Sequence, residues 1–362
     1  MYTGALAPFH DISWRYDFTG RLLWGGGTGF SRFAFQKLTH YLKTLRPDAV
    51  VCTHMIAANA AGGARALLAR HGVRYPIISV PTDYETEGFW PHKQTDLFCV
   101  GTQNMVETLL ARNVPAGCIQ RTGLPTAPEF TKDYDKAAMR SQFGLPQDKT
   151  IAVVMAGANE PRPYINLRKS LDKAFEYLVE MDWMHFVFCT GKDEQYRMYL
   201  QSQVAAFGAK NMTVLGYTDQ MAQLMAASNL AICKAGGIAV TECINTRLPI
   251  ILVGRCYAQE HINERFLTSV GVAYHATTAK ELVTSICHIT DNPFVLAGMR
   301  QSCEDFRKPA AAYDVARATL QLAGCFEVDG KISPTAIMRT KKNKHRQRLM
   351  GLYIGGRPAH RR

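Results

Sequence analysis

The sequence predicts an α/β protein built from two doubly wound units. Short β-branched runs alternate with segments of helical length almost throughout, the pattern of parallel strands joined by helical crossovers. The 362 residues suffice for two domains, each with its own core. Near the middle, the polar stretch "KDYDKAAMRSQFGLPQDKT" (132–150) breaks the alternation and reads as a short helix and linker.

In the first unit, "DAVVCT" (48–53), "YPIISV" (75–80), "DLFCV" (96–100) and "CIQRTG" (118–123) read as strands. Between them, "SRFAFQKLTHYLKTL" (31–45) and "NMVETLLARN" (104–113) carry apolar residues at helical spacing. The second unit opens with "IAVVMAG" (151–157) and continues with "HFVFCTG" (185–191), "MTVLGY" (212–217), "NLAICKAGG" (229–237), "LPIILVG" (248–254) and "GVAYH" (271–275). Each is followed by a helix-like segment. Six strands make the second unit complete, whereas four leave the first one short.

Composition excludes several classes. Hydrophobic residues make up 47% of the chain, which rules out a disordered protein. The ten cysteines lack any C-x-x-C pair and mostly sit within apolar runs, as buried thiols of a reducing compartment do, not zinc ligands or a disulfide framework. No signal peptide and no membrane-spanning apolar run is found. The net charge of +12 is a property of the tail, because ten Lys or Arg and no Asp or Glu follow Asp329. Such a tail reads as a disordered extension, either simply solvated or attracted to anionic lipid headgroups. No nucleic-acid motif accompanies it.

The glycine-rich stretch "LLWGGGTGFSRF" (22–33) invites a phosphate-loop reading that its surroundings refuse. Phe30, Ser31 and Arg32 follow Gly29 where a nucleotide loop needs Lys and Ser or Thr, and the third glycine of a dinucleotide fingerprint is missing. It reads as a flexible turn before a helix. Around it Phe9, Trp14, Tyr16, Phe18, Trp24, Phe30 and Phe33 interleave with Arg15, Arg21 and Arg32. That mixture suits a membrane interface and ordinary core packing alike.

Phosphate chemistry points instead to the second unit, where ligands gather at the C-terminal strand ends. "MAGANE" (155–160) turns at the end of the first strand there. "CKAGGIAVTE" (233–242) sets Gly236 and Gly237 between a strand and a helix, so backbone N–H groups and the helix dipole face an anion. One turn on, Glu242 is suited to accept hydrogen bonds from a ribose diol. "YAQEHINERF" (257–266) puts Gln259, Glu260 and Asn263 at a helix start, with Gln259 and Asn263 one turn apart. They read either as sugar ligands or as a solvated helix cap.

In this order and spacing, "KAGGIAVTE" and "AQEHINE" resemble the donor-sugar half of the diacylglycerol glycosyltransferases, the monogalactosyldiacylglycerol synthases and processive diacylglycerol glucosyltransferases of glycosyltransferase family 28. The resemblance runs from near residue 30 to residue 325. It implies a GT-B fold, two Rossmann-like domains facing across a cleft, with no cofactor and no catalytic metal. Gly236 and Gly237 become diphosphate contacts of a UDP-sugar and Glu242 the ribose ligand, while Gln259, Glu260 and Asn263 hold the hexose and phosphate. Gly216 and Tyr217 of "LGYTD" border the base, and Gly157 and Ala158 lie near the diphosphate. In the first unit, "SVPTDYETEGFWPH" (79–92) resembles the family's Thr-Asp-aromatic stretch and "TGLPTAPEF" (122–130) the segment leading into its linker.

The implied organisation is an acceptor-side domain over 1–130, a linker over 131–150, a donor domain over 151–308, a C-terminal helix over 309–326 and a basic tail over 327–362. Glu87 stands where relatives commonly carry His. The family's opening strand and Gly-rich loop ending in His are not found, so the first domain is expected to be truncated at its N-terminus and the general base is left to Asp83, Glu87 or His54. The expected reaction is inverting hexosyl transfer from a UDP-sugar to a lipid acceptor, diacylglycerol first, at the inner, cytoplasmic face of the cell membrane. A nucleotide-sugar binder without efficient transfer is the alternative, as is N-acetylglucosaminyl transfer to a polyprenyl-linked acceptor.

Overall fold

The computed structural model describes residues 35–86, 90, 93–157, 164–256 and 259–324. The glycine stretch at 22–33, the aromatic residues around it, Glu87, Ala158 and the basic tail lie outside them.

Two parallel sheets form, as the alternation predicts. The first has four strands in the order β1 (Val50–Cys52), β2 (Ile77–Ser79), β3 (Leu97–Val100), β4 (Ile119–Arg121). Helices α1 (Gln36–Leu45), α2 (Met55–Leu68) and α3 (Gln103–Ala111) accompany it. Leu42, Leu68, Ile77, Phe98, Met105 and Leu109 fill one face of this sheet. The sequence reading assigned no helix to α2, because "MIAANAAGGARALL" is nearly all small residues and has no wide apolar stripe. Its small side chains let it pack closely: Ala58, Ala60, Ala61 and Ala64 are fully buried, and a Cβ on Gly62 would stand 2.9 Å from the Gln94 Cβ.

Helix α4 (Lys136–Gln142) leads into the second sheet. Its strands β5 (Thr150–Met155), β6 (Met184–Cys189), β7 (Met212–Leu215), β8 (Leu230–Cys233), β9 (Ile250–Val253) and β10 (Ala273–Ala276) take the order β10-β9-β8-β5-β6-β7. The chain therefore winds outward from β5 in one direction and then, from β8, in the other, which puts a topological switch between β5 and β8. Both faces are covered, so the central strands read as unbroken apolar runs: all six residues of β6 are buried. The covering helices are α5 (Ile165–Val179), α6 (Glu194–Phe207), α7 (Met221–Ala227), α8 (Gly237–Asn245), α9 (Gln259–Ser269), α10 (Ala279–Thr290) and α11 (Pro293–Phe306).

The last helix, α12 (Ala311–Leu322), returns to the first sheet. Val315 and Ala318 pack there on Ile78, Val80, Leu97 and Cys99. Among the described residues no helix is long and apolar enough to cross a membrane, no disulfide forms, and six of the nine described cysteines are buried.

Candidate functional site

The carboxyl ends of the two sheets face each other. The segment after β2, Thr82 to Tyr84, reaches across and meets the start of α8 and one face of α9. Gly237 makes this approach possible, since a Cβ there would overlap the Thr82 carbonyl and stand 2.8 Å from Asp83 Oδ1. Tyr84 stacks on Phe266 with ring centroids 4.8 Å apart, and its hydroxyl lies 2.9 Å from Thr241 Oγ1. Burial pushes the phenol well above its ordinary range, so it stays neutral at the joint.

Asn263 completes the contact. It is wholly buried: Nδ2 donates to Asp83 Oδ1 at 2.8 Å and to the Ala235 carbonyl at 2.9 Å, and Oδ1 accepts from the Tyr84 amide at 2.8 Å. Both of its donors and one of its acceptor positions are spent on protein partners from both halves. Gln259, one turn earlier, lines a small cleft with Thr53, His54, Thr82, Asp83 and Trp90. The structure thus brings three sequence-selected residues, His54, Asp83 and Gln259, to one place. His54 is also the N-cap of α2, its Nδ1 accepting from the Ile56 amide at 3.2 Å.

The glycine-pair loop runs from β8 into α8. Gly236 is the N-cap residue with extended backbone, and no side chain caps the helix, so its first N–H groups remain without an intrahelical partner. Lys234 reaches over this turn, and a Cβ on Gly236 would stand 2.9 Å from its Nζ. Lys234 pairs with Glu260 and sits 5.7 Å from the Tyr164 ring centroid. Burial works to lower the Lys234 amine, but the Glu260 charge outweighs it and holds the ammonium above its usual value. Glu260, read from the sequence as a sugar ligand, serves in this state as that lysine's counter-ion.

Glu242 is treated differently. It lies in the second turn of α8, partly buried, and its side chain forms no hydrogen bond or ion pair among the described residues. Burial pushes its carboxyl from 4.5 up to about 7.

At the other strand ends, Gly157 follows β5 so closely against the Thr190 carbonyl that a side chain would collide. Arg168 on α5 secures this turn. Its Nε donates to the Ala156 carbonyl at 2.9 Å and its Nη1 to Asp193 Oδ2 at 2.7 Å, while the guanidinium lies 4.0 Å from the Tyr196 ring centroid. Gly216 and Tyr217 follow β7; the Tyr217 ring is 68% exposed, with the Lys192 ammonium 5.7 Å from its centroid. An exposed aromatic ring at a strand end is available for stacking on a planar ligand.

Sequence reading missed Lys234, Thr241 and Arg168. Lys234 lies inside the motif "CKAGGIAVTE", where only the glycine pair and Glu242 carry the phosphate and ribose reading. Thr241 lies in the same motif without a role of its own, and Arg168 left no signal, because a polar residue in a helical pattern reads as a solvated face until its neighbours are known.

Residues 28–126 match the family described as monogalactosyldiacylglycerol (MGDG) synthase, and residues 152–311 match the glycosyltransferase family 28 C-terminal domain. Among curated proteins, the chain is 26% identical over 294 residues to a processive diacylglycerol beta-glucosyltransferase of Staphylococcus saprophyticus, covering 81% of this chain and 72% of that one. It is 27% identical over 236 residues to the protein of the same description from Bacillus subtilis, covering 65% and 60%. Among solved structures it resembles the S. aureus MnaA-UDP co-structure, with TM-score 0.64, 14% identity and 82% of each chain covered. Acinetobacter baumannii MurG gives TM-score 0.54 at 18% identity, with 78% of this chain and 76% of that one covered. Both structural likenesses speak for the GT-B type of fold.

Proposed function

Since the chain joins an MGDG synthase region to a family 28 C-terminal domain and belongs to the family 28 glycosyltransferases, we propose that it transfers a hexosyl group, with inversion, from a UDP-sugar to the hydroxyl of a lipid acceptor, diacylglycerol in the first instance. The observation that carries this reading is Glu242. A partly buried carboxylate without a protein partner is costly, and a vicinal diol offers it the two hydroxyl donors it lacks.

The surrounding groups divide the remaining work. The uncapped start of α8 at Gly236, aided by Lys234, offers N–H groups and positive charge to the diphosphate. The leaving nucleotide gains negative charge in the transition state, so groups fixed beforehand lower the barrier without reorganising. Gly157 keeps the β5 turn open to the same phosphates, and Tyr217 is suited to stack on the base. Gln259, facing the first domain beside Asp83, is the candidate for the hexose hydroxyls.

Asp83 is our candidate for the base that takes the acceptor proton. Asn263 holds its Oδ1 and so orients the carboxylate, leaving Oδ2 to receive a proton. The resemblance to diacylglycerol glucosyltransferases and the basic tail after Asp329 favour a site of action at an anionic membrane surface, the cytoplasmic face in our reading.

The test is a screen of UDP-hexoses by thermal shift on the 362-residue chain, followed by product analysis with diacylglycerol vesicles. A donor at 100 times its dissociation constant is expected to stabilise the fold by about 2.7 kcal/mol. Donor stabilisation with no transfer to diacylglycerol would leave the fold reading intact and overturn the acceptor. No stabilisation by any UDP-hexose would overturn the donor as well.

A further inference from the structure

A second cavity, of about 230 Å³, lies at the far end of the six-stranded sheet, where Ser228 and Leu248 lead into β8 and β9. The proposed nucleotide-sugar loops stand at the opposite ends of those strands. Lys132, Lys136, Arg247 and Arg300 line it together with one carboxylate, Asp133. That carboxylate is already engaged. Arg247 Nη1 donates to Asp133 Oδ1 at 2.8 Å, and the same guanidinium pairs with Glu304.

Among the described residues Lys136 and Arg300 have no such counter-ion. The Lys136 ammonium donates to the neutral Ser228 carbonyl at 2.8 Å, and Arg300 forms no hydrogen bond or ion pair among the described residues. Behind them Arg140 spends its donors on the Ala227 and Gln147 carbonyls and on Asn229 Oδ1, so its charge also goes without a bonded carboxylate among the described residues. Burial pushes the Lys136 amine down to about 8, with the Arg300 and Arg140 charges acting in the same direction. Burial likewise lowers Arg300.

Like charges gathered in a half-buried concavity repel one another and focus positive potential into it. A tetrahedral oxyanion would offer Lys136 and Arg300 an anionic acceptor, and Arg guanidinium and Lys ammonium groups are the usual partners of phosphate. We propose that this cavity binds a phosphate-bearing anion between Lys136 and Arg300, at a site separate from the transfer cleft. The occupant bridges α4, which follows the first sheet in the chain, and α11, which packs behind the second, so it would add to the hold that Lys136 and Arg140 already give the connection on the donor domain.

The amine itself is the reporter. An amine-reactive acyl reagent is applied to the full chain at neutral pH, with saturating UDP present to keep phosphate out of the cleft, and labelling of Lys136 is read by mass spectrometry. Inorganic phosphate at about ten times its dissociation constant is expected to slow labelling about tenfold by mass action, and chloride at equal ionic strength is not. Glycerol 3-phosphate is the second probe: protection by it alone marks a lipid-headgroup source, while protection by inorganic phosphate marks a free anion. R300Q is expected to lose the protection. Equal labelling in phosphate, glycerol 3-phosphate and chloride overturns the site, as does undiminished protection in a folded R300Q. Should R300Q fail to fold, the comparison in the unmodified chain decides alone.

Discussion

Helices α8 and α9 begin at the same cleft and carry the two motifs on which the donor reading rests, but their polar residues are in opposite conditions. On α9, Asn263 is wholly buried, with three hydrogen bonds to both halves of the molecule. On α8, Glu242 has no hydrogen-bonding partner among the described residues, and burial raises its carboxyl to about 7. A satisfied buried amide stabilises the joint on which it lies. An unsatisfied carboxylate costs the free protein stability and repays it only when a donor arrives. Residues of the two motifs thus divide into those that hold the two sheets together and those whose polar groups have no partner among the described residues.

Removing Asn263 should break the first side of this contrast most severely. Asn263→Ala strands the Tyr84 amide, the Ala235 carbonyl and Asp83 Oδ1, all at a buried interface, and is expected to cost about 2 to 4 kcal/mol. Urea unfolding measures the loss. A midpoint equal to that of the unmodified chain would show that the joint does not depend on this residue.

Gly237 tests the same side through geometry. In Gly237→Ala the new Cβ meets the Thr82 carbonyl, which must withdraw and carry Asp83 with it. Displacing a catalytic group by about 1 Å typically costs about 100-fold in rate. Turnover is therefore expected to fall by that order while UDP affinity, which our proposal assigns to the second sheet, stays within about threefold. A parallel loss of UDP affinity would instead make Gly237 a diphosphate contact, the role the family resemblance gives it.

These residues also mark the boundary of what the sequence disclosed. The alternation of strands and helices was readable because both sheets are parallel and buried, so each strand announces itself as an apolar run and each crossover as a helical period. The glycine pair, Glu242 and the Gln259–Asn263 face were readable as a motif. Which of them meet the other domain was not, because a contact between residues 84 and 263 leaves no trace in local periodicity. Helix α2 escaped for a different reason: its small residues pack by closeness, which no hydrophobic pattern reports.

The open side of the contrast is tested by Glu242→Gln, with a smaller expected effect of two opposite signs. Loss of the anionic acceptor should weaken UDP-sugar binding about tenfold, or about 1.4 kcal/mol, by isothermal titration. Stability of the unliganded chain should rise. Below pH 4.5 the Glu242 carboxyl is protonated in both folded and unfolded states; between 4.5 and about 7 only the unfolded chain releases its proton, so rising pH destabilises the fold, and above 7 the full cost persists. Glutamine removes that cost, a gain of about 1 to 2 kcal/mol above pH 7 once solvent screening of this partly exposed group is allowed for. Weaker binding without any gain in stability would mean that the carboxylate was not strained in the free protein.

The smallest effect is expected at His54, where the comparison turns on the acceptor side. Its Nδ1 accepts from the Ile56 amide, which leaves the ring proton of the neutral imidazole on Nε2. In that tautomer neither nitrogen is free to take a proton from an acceptor hydroxyl: one is occupied by the backbone and the other already carries hydrogen. Asp83, with one oxygen held by Asn263 and the other without a hydrogen bond among the described residues, has the capacity His54 lacks. Asparagine is a strong N-cap, so His54→Asn preserves the helix start, whereas His54→Ala is expected to cost about 0.5 to 1 kcal/mol. Both should keep turnover within about threefold, against a loss of about 10² to 10⁴-fold for Asp83→Asn if that carboxylate is the general base. Steady-state rates of the three variants decide between them, because a large loss in a fully folded His54→Asn chain would transfer the proton to the histidine and return Asp83 to the joint.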